Sequence, residues 1–189
     1  DSAHLPFARL QKAVLDYQVL DQGASADRIL SLLVGQQTHD GALVDHALLA
    51  EAQLHQGIRS RVLGNLQVGR RQLETLAQTS TGTLRIAALF QLALTLQQSG
   101  NLPRAEELLT HALQSVNNSE QRSRILYRLA DIEIARNSVT AARQHLVDAG
   151  RASARMEAQF LEAFVLIKLL GQPFGGIDII QNIGALDTA

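Results

Sequence analysis

The chain of 189 residues has no cysteine and no tryptophan, one methionine and three prolines, and only 4% of it is aromatic. Without cysteine there is no disulfide scaffold, no thiolate metal site and no cysteine nucleophile, although this does not fix the compartment. Strands favour β-branched and aromatic residues, which are sparse here, whereas leucine and alanine carry the apolar fraction and favour close-packed helices. The formal net charge is −1, so the chain as a whole lacks the positive excess that general nucleic-acid binding requires. No uncharged apolar run reaches the ~18 residues that would span a membrane. No signal peptide is visible, and a start at Asp1 suits a mature form or a piece cut from something longer.

What is present is helical periodicity. Apolar residues make up 46% of the chain, enough for one compact domain or one elongated array. The stretch from Ile86 to Val116 organises the rest. Leu89, Leu92, Ala93 and Leu96 recur at the spacing of one helix face, and Gly100 then offers the left-handed conformation that ends a helix. Asn101 and Pro103 suit the start of a second helix, whose Ala105, Leu109, Ala112, Leu113 and Val116 share a face. Two such faces joined by so short a turn are expected to pack on each other.

The pattern repeats. Adding 37 to Leu89, Leu92, Ala93, Gly100, Leu102, Ala105, Leu109 and Ala112 lands on Leu126, Leu129, Ala130, Asn137, Val139, Ala142, Leu146 and Ala149. Through Leu92-Ala93, Gly100, Ala105 and Ala112-Leu113 the chain resembles the tetratricopeptide repeat family. It departs from that pattern at Leu89, where the family often has tryptophan, at Leu96, where it has tyrosine, and at Asn117, where it has proline. The resemblance implies an all-α, right-handed α-solenoid of about five antiparallel helix pairs.

The remaining segments read in the same way. Leu5, Leu10, Val14, Leu15 and Val19 mark a first helix, Asp21-Gln22-Gly23 a stop, and Ser25 a cap for a helix through Ile29, Leu32, Leu33 and Val34. A helix from Leu43 is expected to end at Gly57, and its successor, about 59 to 77, carries Val62, Leu66, Val68, Leu73 and Leu76. The series Gly23, Gly57, Gly100, Asn137, Gly171 then divides a single repeat domain into pairs at about 5–37, 42–78, 84–117, 120–150 and 153–187. The interval from Gly57 to Gly100 exceeds the 34-residue spacing of the first pair by about nine, placed most simply at the end of the helix through Leu76 and the loop 79–82. The apolar run from Phe160 to Leu170 suggests contact with missing sequence, capping by 177–186, or a homodimer through this C-terminal helix.

Catalytic signals are few. Gly64-Asn-Leu-Gln-Val-Gly69 has phosphate-loop glycine spacing but no lysine or hydroxyl residue, and reads as helix packing. Of the six histidines only His39 and His46, with Asp40 and Asp45, are close in sequence, and no recognised ligand spacing is matched, so neither metal nor cofactor is expected. Asn117-Asn118-Ser119 is a glycosylation triplet that matters only in a secreted chain.

Surface recognition remains. In tetratricopeptide arrays the first helix of each pair lines a concave groove, and the resemblance puts Phe90, Gln91, Leu94, Arg124, Tyr127, Arg128 and Asp131 there. Arginine beside tyrosine suits a carboxylate or an acidic side chain. Alternatively, Arg124 and Arg128 are a solvated face paired with Glu120 or Asp131. The lysine and asparagine clamp of some family members is missing, with Ala87, Gln91 and Leu94 in its place, so chaperone C-termini are not the expected ligand. Two functions lead, a non-catalytic scaffold holding a partner peptide or helix, or a ligand- or partner-sensing regulatory domain of a larger signalling or transcription-regulatory protein, and an enzyme comes third.

Overall fold

A computed structural model describes residues 5–35 and 46–152, and every regular element among them is a helix. In chain order these are α1 Leu5–Gln18, α2 Gly23–Gly35, α3 His46–Val62, α4 Leu66–Thr79, α5 Gly82–Gln98, α6 Leu102–Ser115, α7 Ser119–Ala135 and α8 Val139–Ala152. The chain divides into two compact units, Asp1–Asn101 and Leu102–Ala189. In the first, each helix from α1 to α5 packs on its neighbour in sequence, and α3 also packs on both α1 and α5. Contact between alternate helices is the mark of successive pairs stacked in a row. In the second, α7 packs on both α6 and α8. No described helix is long and apolar enough to cross a membrane.

Leucine and alanine build both cores. Leu10, Ala13, Ala26, Leu30, Leu33 and Ala52 form a buried cluster in the first unit, and Leu126, Leu129, Ala130, Ala142 and Leu146 are buried in the second. Each leucine so buried contributes about 1.5–3 kcal/mol against exposure to water. Alanine does something else, letting helices approach closely at little cost in side-chain entropy.

Four residues close the hairpins in the left-handed conformation: Asp21 (φ 52°), Gly64 (φ 80°), Gly100 (φ 81°) and Asn137 (φ 61°). At Gly64, Gly100 and Asn137 the next N–H reaches back to the carbonyls of Ser60, Leu96 and Glu133 at 2.9, 2.9 and 2.8 Å, the double-bonded helix end that this conformation permits.

This series corrects the one read from sequence. Gly57 lies inside α3, Gly23 is the first residue of α2, and α4 starts at Leu66. Gly57 instead serves packing, because a Cβ there would come within 2.8 Å of the Leu73 side chain on α4. A Cβ on Gly69 would lie 3.1 Å from the Gly57 carbonyl and from the Arg61 nitrogen. These two glycines are where the backbones of α3 and α4 come together. The surplus residues move as well: Gly64 follows Asp21 by 43, whereas the next two intervals are 36 and 37. The longer interval is therefore the one containing 36–45, and α4 and the turn after it carry no excess.

Leu15, Val19, Leu32, Val62 and Val68, expected on packed stripes, are exposed instead. Ser25 does not cap its helix; its hydroxyl donates to Asp16 Oδ2 at 2.7 Å. The readings for 36–45 and for 153–189, including the apolar run from Phe160, its dimer contact and the fifth pair, fall outside the described residues.

Candidate functional site

The four turn residues supply a common register. Seven positions before them stand Val14, Gly57, Ala93 and Ala130, and five positions after them Ala26, Gly69, Ala105 and Ala142. The same count identifies what the first helix of each pair leaves uncovered. Six before the turn come Leu15, Ile58 and Leu94, and two before it Val19 and Val62. Phe90 stands ten before. Val19 is 70% exposed, Val62 58% and Leu15 48%, while Ile58, Phe90 and Leu94 are half-buried. α3 packs on both α1 and α5, so the positions six before the turn, Leu15, Ile58 and Leu94, fall at one register of three neighbouring helices, with Val19 just past the end of α1 and Val62 at the end of α3. Apolar area left in water in this way is the raw material of association, at about 25 cal/mol for each Å² a partner covers.

Among the residues read from sequence, Phe90, Gln91 and Leu94 sit on α5, all half-buried. The Gln91 side-chain oxygen is buried with no hydrogen-bond partner among the described residues. Arg124, Tyr127, Arg128 and Asp131 belong to α7 of the second unit. Arg124 Nη2 donates to Glu120 Oε1 at 2.9 Å, and Arg128 Nη1 to Asp131 Oδ2 at 2.9 Å. The Arg128 guanidinium also stands 5.5 Å from the Tyr127 ring centre, and burial raises the Tyr127 hydroxyl above its ordinary value. Exposed pairs of this kind are worth about 0–1 kcal/mol, so another carboxylate could displace either acid at small cost.

The sequence reading missed a polar cluster at the meeting of α1, α2 and α3. Asp16, only 1% exposed, accepts from Lys12 Nζ at 2.6 Å and from Ser25 Oγ at 2.7 Å. Those two hydrogen bonds hold its carboxyl below the usual carboxylate value against the opposing effect of burial. Arg59 is bidentate to Asp27, with Nε to Oδ1 at 2.9 Å and Nη2 to Oδ2 at 3.0 Å, and lies 5.6 Å from the Tyr17 ring centre. The Tyr17 hydroxyl meets His55 Nδ1 at 2.5 Å. A side chain on Gly23 would run into the Arg59 guanidinium. Asp16 and Arg59 both stand five before their turns, where Thr95 and Ile132 are buried in α5 and α7. Charged residues at a position otherwise uncharged were the available signal, legible only in the correct register.

Gly64 forms a turn and Gly69 packs inside α4, so the glycine-spaced segment makes no anion cradle. Among the described residues no three histidine, aspartate or glutamate side chains converge to hold a metal ion. His46 opens α3, while His39, Asp40 and Asp45 lie outside the described residues.

No protein-family model matches the chain, and no curated protein matches it significantly. It is similar to a crystal structure of nearly identical TPR-like repeats from a Podosopora anserina protein designated a kinesin light chain, with a TM-score of 0.75. The match covers 98% of this chain and 95% of that one at 19% identity, a level at which the likeness speaks for fold. Helices packed in sequence, hairpins closed by left-handed residues and this match agree: the chain has a tetratricopeptide-like helical-repeat fold.

Proposed function

We propose that the chain is a non-catalytic protein-binding scaffold whose first unit holds an amphipathic helix of a partner protein on the face formed by α1, α3 and α5. The carrying observation is that Leu15, Ile58 and Leu94 recur at one register position of three adjacent helices, none of them fully buried, and that exposed Val19 and Val62 recur at a second position in the first two repeats, with half-buried Phe90 on α5. A fold typical of protein-binding modules supports it. A helix suits this stripe better than an extended strand, since a helix satisfies its own backbone groups whereas a strand needs donors and acceptors from the surface that receives it. In the second unit, taken by itself, α7 carries Arg124, Tyr127, Arg128 and Asp131, to which we assign a separate polar contact with an acidic side chain of a protein partner.

Photo-crosslinking residues placed at Val19 and Val62 are expected to trap a protein partner, while one at Arg28, exposed on α2, is not. Leu15→Glu combined with Val62→Glu is expected to weaken binding of that partner at least about tenfold with helicity unchanged, since each covered apolar side chain is worth about 1.5 kcal/mol or more. Unchanged affinity in that double variant would remove the apolar face, and unchanged affinity with Arg124→Ala plus Arg128→Ala would remove the α7 contact.

A further inference from the structure

The Tyr17–His55 hydrogen bond joins the first helix pair to the second, and its two ends lie on α1 and α3. We propose that this contact is an acid-opened latch: neutral His55 holds α1 and α2 against α3, and protonation of its ring releases them.

The Tyr17 oxygen accepts from Gln18 Nε2 at 3.3 Å and lies 2.5 Å from His55 Nδ1. In the latch, neutral His55 accepts the phenolic hydrogen at Nδ1 and carries its own hydrogen on Nε2. A second ring proton would occupy Nδ1, so the phenol would have to rotate its own hydrogen away from His55, and the contact would persist only with a partly buried imidazolium as its donor. The new charge would also lie one helical turn before Arg59, whose guanidinium already stands over the Tyr17 ring at 5.6 Å.

The surroundings offer little compensation. On α1, Lys12 and Asp16 are engaged with each other, and on α2 Asp27 is bidentate to Arg59. On α4, Arg70 and Glu74 pair together, and Arg85 of α5 is exposed. Burial pushes the His55 ring below its ordinary value and outweighs Glu51, one turn before it on α3, which among the described residues pulls toward the cation. A histidine lowered in the folded state binds fewer protons there than when released. The latch is therefore at full strength above the ordinary histidine value of 6.5 and weakens as pH falls below it. Opening would carry Leu15 and Val19 away from Ile58 and Val62 and so scatter the apolar face. That consequence rests on the binding reading above; the latch itself does not.

The test is hydrogen exchange on the whole chain at pH 7.5 and 5.5, corrected for the intrinsic chemical rate. Opening of α1 and α2 is expected to rise by up to about tenfold at the lower pH, the limit for one ordinary histidine titrated a unit below its pKa. Protection of α7 and α8 is expected to stay constant. His55→Asn keeps an acceptor near Nδ1 and cannot titrate in this range, so its profile is expected to be flat. As a readout independent of that variant, the ring-proton NMR titration of His55 should have its midpoint below 6.5. Constant protection of α1 and α2 in the unaltered chain, an equal rise in the asparagine variant, or a midpoint at or above 6.5 would each overturn the latch. A flat exchange profile would leave the apolar face standing, and failed crosslinking would leave the latch standing.

Discussion

Asp21 and Asn137 hold left-handed backbone without glycine's freedom, as Asn and Asp can and branched residues cannot. Asn137→Val is expected to lower stability by about 1–2 kcal/mol, while Asn137→Gly is neutral or stabilising by up to about 1 kcal/mol, both read from urea midpoints. An equal loss in the two variants would mean that the side chain, and not φ, matters there. Asp16 gives a pH-dependent case. Its carboxyl is lowered in the folded protein, so its contribution is whole above the ordinary aspartate range and is lost as pH falls through the lower folded value. Asp16→Asn is expected to be less stable at neutral pH and to lose less on acidification below the ordinary aspartate value of about 3.9, where the unfolded chain binds a proton that the folded carboxyl still resists. Parallel pH curves for the two proteins would contradict this.

Helices were easier to read than their ends. The apolar spacing of 86–116 and its copy 37 residues on correctly gave α5 to α8 because leucine and alanine mark the buried face and Gly100 and Asn137 mark the turns. The first two pairs slipped because glycine serves two purposes. A glycine that ends a helix and one that lets helices touch look alike in sequence, and Gly57 was the second kind. Around it α3 carries Gln53, Gln56 and Ser60 where α5 has Leu89, Leu92 and Leu96, so no leucine stripe contradicted the wrong register. Capping is clearer at α7, where Asn118 Oδ1 accepts from the Gln121 N–H at 2.9 Å. Asn118→Ala is expected to cost about 1 kcal/mol in thermal or urea unfolding, and Asn118→Ser much less.

Over the whole molecule, the resemblance carried by one strong repeat and one good copy extended to a match covering 98% of the chain. The proposed apolar face was only half legible. Phe90 and Leu94 came from the resemblance, but Leu15, Val19 and Val62 were assigned to the core, since periodicity identifies an apolar face without saying what it meets. The charged cluster around Arg59 was hidden because its members are distant in sequence, with Asp27 and Arg59 separated by 32 residues. The meeting of Gly57 and Gly69 also bears on how this chain can change over generations. Gly57 faces the Leu73 side chain, where a smaller neighbour would make room, whereas Gly69 faces the Arg61 nitrogen and the Gly57 carbonyl, main-chain atoms that no exchange of residues can trim. A methyl group added at 57 is therefore open to rescue by a second change, and one added at 69 is not.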